Sequence, residues 1–252
     1  LSVRLSDRHF GIGGDGIILV CPSKVADAKM KMYNLDGSEG KMCGNGIRCV
    51  GKFLYDHGMV DYKEKDEITI ETLSGIKSLK AYTTNGEVTS LRVDMGKAIL
   101  DPKEIPVAMN KDKIVNEPVT IGDKEYNITC VSMGNPHCVV FMDDIDNLDI
   151  EKIGPMFEND KLFPERVNTE FVTVLDDHTI KMRVWERGSG ETWACGTGAC
   201  AVAVAACENG FCKKGDDIKI KLKGGDLVIN YTDETVYMTG NAEKVFEGEI
   251  EV

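Results

Sequence analysis

Two cysteines stand 152 residues apart in closely matched surroundings: Cys43-Gly44-Asn45-Gly46 and Cys195-Gly196-Thr197-Gly198. Each opens an apolar stretch with helical character. Glycines in a first helical turn leave backbone N–H groups uncovered, and with the helix dipole these favour an anion. A thiolate at that end is stabilised, so each cysteine is expected to titrate below the free value of about 8.5. Two such thiols around one carbon could act as opposed acid and base. One thiolate would remove the proton α to a bound carboxylate, and the other thiol would return one. The N–H groups would hold the charge that develops on the carboxylate. Such a step inverts the centre without a cofactor. A cysteine before a glycine-rich turn can also be a packing residue, and a duplicated segment can exist without chemistry; both readings stay open on the residues alone.

The elements that must position these thiols are themselves repeated. Ala28-Lys29-Met30-Lys31-Met32-Tyr33-Asn34 matches Ile180-Lys181-Met182-Arg183-Val184-Trp185-Glu186 at the same offset, and both alternate as strands do. A helix follows each cysteine, over 44–57 and 196–209, with Gly58 and Gly210 at the C-terminal caps. Then come hairpins, Ile68 to Leu79 turning at Ser74-Gly75 and Ile218 to Ile229 turning at Gly224-Gly225, and third strands ending near Gly96 and Gly240. Many strands around one principal helix, twice, indicate an α+β fold of two similar domains. The proline-containing stretch Asp101–Pro118 is the expected boundary, giving domains 1–113 and 114–242.

A net charge of −12 repels phosphate backbones, so nucleic acid is not an expected partner. No apolar run reaches the roughly 18 residues of a membrane helix, and Leu1 to His9 carry no signal-peptide pattern. The nine cysteines include no CxxC pair and the four histidines are scattered, which argues against a metal site and for a reducing, cytoplasmic setting. Cys49, Cys200 and Cys207, on the two helices, are expected in the core. Gly11-Ile12-Gly13-Gly14-Asp15-Gly16 satisfies GxGxxG, but a polar segment precedes it and the β-rich Ile17-Ile18-Leu19-Val20 follows. A dinucleotide fingerprint needs the reverse context, so nicotinamide cofactors are not expected.

Three blocks carry a resemblance: Met42 through Cys49, Gly134-Asn135-Pro136-His137, and Trp185 through Thr192 continuing into Ala194 through Gly198. In type and order they resemble the diaminopimelate epimerase family along nearly the whole chain. Proline racemases resemble it less, since their first motif carries His where Asn45 stands. The family resemblance implies cofactor-independent conversion of LL-diaminopimelate to the meso form, with Cys43 and Cys195 as the two bases. It implies that Gly44, Asn45, Gly196 and Thr197 cradle the reacting carboxylate. Asn34, Asn168, Glu186 and Arg187, with Asn135, would hold the rest of the substrate, and His137 and Glu186 would help set thiol protonation. It also implies two pseudo-symmetric domains, each a mixed or antiparallel, barrel-like sheet wrapped around a central helix. The last strand (243–252) would complete the first domain, and the assembly would be a homodimer. Family members open with a strand and a Gly-x-Gly-Asn-Asp-Phe segment, which this sequence is expected to omit. The rivals are a racemase of another amino acid, a non-catalytic amino-acid binder and a redox-sensing dithiol protein.

Overall fold

The structure, a computed structural model, describes residues 1–61, 65 and 67–251. The chain divides into two compact units: Leu1–Asp94 with Thr239–Val252, and Met95–Met238. The division after Asp94 lies ahead of the proline-containing stretch. Met95 to Lys113, expected at the end of the first domain, groups with the second unit, and Thr239 to Ala242 group with the first. The physical reason is packing. Ile105, Val107 and Ile114 enter the second unit's apolar core, and Ile99 bridges to Ser132.

The first unit contains α1 (Ser2–Ser6), β1 (Gly16–Cys21), β2 (Ala28–Asn34), β3 (Glu39–Gly40), α2 (Gly44–Asp56), β4 (Ile68–Thr72), β5 (Gly75–Thr84) and β6 (Glu87–Asp94). Its strands run in the order β1-β2-β4-β5-β6, with β3 on β2. The β2–β4 pair is parallel and the others are antiparallel. The β4–β5 turn closes at Gly75, whose φ of +96° suits glycine. Helix α2 packs on β1, β5 and β6. It buries Ile47, Val50 and Leu54, and a Cβ at Gly51 would lie 2.5 Å from Leu91. The opposite flank is open. Cys49, expected in the core, is exposed there beside Phe53, and both border an apolar cavity of 670 Å³.

The second unit contains β7 (Glu117–Ile121), β8 (Lys124–Ser132), β9 (Pro136–Phe141), α3 (Ile150–Glu158), β10 (Asn168–Asp176), β11 (Thr179–Glu186), β12 (Gly190–Thr192), α4 (Gly196–Glu208), β13 (Asp217–Leu222), β14 (Gly225–Tyr231) and β15 (Val236–Gly240, of which Val236–Met238 belong here). The order is β15-β14-β13-β11-β10-β9-β8-β7, with β12 on β11. The β9–β10 and β11–β13 pairs are parallel. Helix α4 is apolar all round: every residue from Gly198 to Ala206 is buried, so Cys200 lies in the core while Cys207 is half-buried. It packs against β8, β9, β10, β13 and β14. Each buried valine of α4 contributes about 1.5–3 kcal/mol relative to exposure. Helix α3 packs on β10, β11 and β12, where Phe157, Phe171 and Trp185 form the second core.

Candidate active site

Both motif cysteines are helix N-caps with nearly the same backbone: φ −132°, ψ 120° at Cys43 and φ −124°, ψ 108° at Cys195. Each sulfur accepts a hydrogen bond from the N–H three residues on, Gly46 at 3.3 Å and Gly198 at 3.4 Å. A serine or aspartate oxygen would ordinarily take that cap position. The cap leaves the N–H groups of Gly44 and Asn45, and of Gly196 and Thr197, without intrahelical partners at the two first turns. Such N–H groups at a helix start suit an anion.

In the first unit, Asn45 accepts a hydrogen bond from Arg48 Nη2 at 3.1 Å, and Arg48 also donates to the carbonyls of Gly44 and Asn241. Arg48 is buried and secures the α2 first turn; nothing in the spacing of the motif singled it out. Asn34 lies exposed where β2 turns into β3, donating to Ser38 Oγ at 3.0 Å.

In the second unit Asn135, His137 and Thr197 are linked by hydrogen bonds next to Cys195 at the start of α4, Glu186 bears on the same thiol, and Asn168 is bonded to Arg187. Thr197 Oγ1 lies 3.6 Å from Cys195 Sγ and accepts from Asn135 Nδ2 at 3.3 Å. His137 is fully buried, and its ring nitrogens face Asn135 Oδ1 at 3.1 Å and Glu170 Oε1 at 2.7 Å. It therefore reaches the sulfur through intermediaries. Asn168 donates to the Pro136 carbonyl and accepts from the Arg187 N–H, both at 2.9 Å, so its amide ties the loop carrying Arg187 to β9. Arg187 Nη1 rests on the Glu165 carbonyl. Glu186 accepts from Thr192 Oγ1, and Glu191 from Arg183 and Lys223, which shapes the approach to Cys195.

Two acids here were not legible in the sequence. Glu158, at the end of α3, accepts from Trp185 Nε1 at 2.7 Å and from Gly188 N–H at 2.9 Å, bracing the Arg187 turn. Glu170 lies beneath α4. The signal for it was latent: residues two apart on a strand share a face, so Glu170 points with Asn168. Its proximity to His137 depends on the parallel β9–β10 register, which pairs Asn168 with His137.

The expected fall in thiol pKa does not hold for Cys195. Burial pushes that thiol well above its ordinary range, and the Glu186 and Glu170 carboxylates push it further, against the hydrogen bonds from Thr197 and Gly198. The helix dipole favours the thiolate, but desolvation and the two acids outweigh it.

Comparison with known proteins bears on this arrangement. The sequence profile described as diaminopimelate epimerase matches residues 1–100 and 129–245. The chain belongs to the diaminopimelate epimerase family. A diaminopimelate epimerase of Agathobacter rectalis is 53% identical over 262 residues, covering 100% of this chain and 90% of the relative. One from Methanococcus maripaludis is 54% identical over 254 residues with the same coverage. Among solved structures, a probable proline racemase from Agrobacterium radiobacter superposes with a TM-score of 0.70 at 17% identity, covering 95% of this chain and 77% of its own. A phenazine biosynthesis protein from Bacillus anthracis gives 0.68 at 17% identity, covering 96% and 86%. These two similarities show that the chain shares the α+β fold of those structures.

Proposed function

We propose that the chain inverts one α-centre of LL-2,6-diaminopimelate to give the meso isomer, with Cys43 and Cys195 as the two bases. The observation that carries this is the duplicated N-cap cysteine: the same residue, backbone conformation and sulfur-to-N–H bond occur in both units. Packing alone gives no reason for a thiol to occupy an N-cap twice. One thiolate takes the α-proton and the other thiol returns one to the opposite face. Charge passes onto the carboxylate, where the N–H groups of Gly44, Asn45, Gly196 and Thr197 stabilise it. Cys195, held as a thiol, is the resting proton donor.

Arg187 and Glu186 serve the distal amino-acid end, the guanidinium gripping its carboxylate and Glu186 its ammonium. Asn34, Asn135 and Asn168 complete the binding set, Asn168 also through its hold on Arg187. The amino group and carboxylate at that distal end are what separate this substrate from proline. Incubation of LL-diaminopimelate with reduced protein, followed by chiral chromatography, is expected to show meso product. No meso product, with turnover of proline, would replace the substrate assignment. Among the described residues no helix is long and apolar enough to cross a membrane. The reading places the protein in the cytoplasm as a homodimer. Light scattering should then give twice the 27.7 kDa chain mass, and a mass of one chain would refute the dimer.

A further inference from the structure

Glu170 is completely buried on β10, faces the first turn of α4, and is absent from the two-thiol scheme above. Its Oε1 meets His137 Nδ1 at 2.7 Å, with both side chains inaccessible to solvent. Its Oε2 has no hydrogen-bond partner among the described residues. A Cβ placed on Gly198 would stand 2.6 Å from Glu170 Oε1 and 3.2 Å from Cys195 Sγ, so the carboxyl and the sulfur flank one backbone position that only glycine leaves open. A buried carboxyl with an unpaired oxygen is costly, and native folds retain such groups where they do something.

We propose that Glu170 is a positioning residue: paired with His137, it turns the negative end of a buried ion pair toward the first turn of α4 and holds Cys195 in its thiol form. The proposal rests on the two-thiol reading. There it supplies what that mechanism needs at rest: of the two thiols, the more buried one stays protonated. With Nε2 of His137 donating to Asn135 Oδ1, the Nδ1–Oε1 contact holds one further proton. The carboxyl, not the imidazole, is the member beside Gly198. Besides burial, the groups that bear on Cys195 are Glu186 on β11, Glu170 on β10, and Thr197 and the Gly198 N–H on α4. Those that bear on Glu170 are His137 on β9 and again Glu186; Glu170 in turn bears on Cys138 of β9, which Cys130 of β8 also contacts. Glu186 is half-buried and bonded to Thr192, so its charge is the better screened of the two acids. Burial raises the Glu170 carboxyl above its ordinary range, and Glu186 adds to this, even against the opposing His137 contact.

The test is a titration of protein carrying [β-¹³C]cysteine, followed by NMR, with the Cys195 signal assigned by its loss in Cys195→Ala. It needs no turnover, so failure of the epimerase reading would show separately as absent meso product. In the unchanged chain the Cys195 midpoint should lie above that of a free thiol, about 8.5. In Glu170→Gln it should fall by roughly one to two pH units, tenfold in thiolate fraction per unit, with the Cys43 midpoint unmoved. Glu170→Asp keeps the charge but draws it back by one methylene, and should move the midpoint less. A purely structural role for Glu170 would leave the Cys195 midpoint in place in both variants, and that result overturns the proposal. So does a wild-type midpoint at or below the free value, whether or not the variants fold.

Discussion

A cysteine in place of the usual oxygen-bearing N-cap gives up some helix stability for a group that can both give and take a proton. Both motif cysteines make this substitution with the same geometry, and the chemistry assigned to them follows from that. Replacing either Cys43 or Cys195 with alanine is expected to lower kcat by at least about 100-fold, the scale of a lost general acid or base. Circular dichroism should remain that of the folded chain. Near-full turnover by either variant would contradict a two-thiol mechanism. At this scale the sequence was informative where the signal is local: Cys43-Gly44 and Cys195-Gly196 mark two matched helix starts by type and spacing. It was silent on Arg48, Glu158 and Glu170, whose roles come from contacts with residues remote in the chain. It misjudged the Cys195 thiol because desolvation cannot be read from neighbours in sequence.

Among the elements, α3 and the β11–β12 turn decide whether Arg187 is correctly presented. A Cβ on Gly154 would run into the Trp185 indole, so Gly154→Ala should destabilise the fold by about 1–3 kcal/mol despite alanine's better helix propensity. An unchanged denaturation midpoint would mean that α3 is not seated on Trp185. Glu158→Gln replaces one of two acceptor oxygens by a donor facing either Trp185 Nε1–H or Gly188 N–H. It should cost about 1.5–3 kcal/mol and raise KM more than it lowers kcat, because the loop it braces binds rather than reacts. The opposite split would place Glu158 in the chemistry. Strands β2 and β11 and helices α2 and α4 were legible because alternation, capping and glycine turns are local signals. Helix α3 was not, because Gly154-Pro155 interrupts its apolar spacing. Asp101 to Pro118 reads as a linker by its prolines, but Ile105, Val107 and Ile114 make it part of the second unit's core.

At the scale of the whole molecule, stability should depend on alkaline pH through buried thiols. Burial pushes Cys207 up to about 12 and Cys212 to about 11, and drives Cys138 and Cys195 upward as well. These groups stay protonated in the fold and ionise near 8.5–9 when unfolded. Their contribution is fully present below that value and is lost progressively as pH rises toward the folded values. Denaturant midpoints under reducing conditions should therefore be lower at pH 10 than at pH 7.5; an equal or higher midpoint would mean the thiols are not buried as described. The two-unit, strand-rich plan was visible because the chain repeats itself, while the division between units follows packing that no composition shift marks. The most direct test of the two-thiol mechanism is proton NMR of LL-diaminopimelate turning over on the reduced protein in deuterated water. Meso product should carry deuterium at the inverted carbon from the first turnovers, while unreacted LL substrate keeps its α-proton. Meso product that retains the original proton would show a single base acting on both faces and would contradict the assignment of Cys43 and Cys195 as a pair.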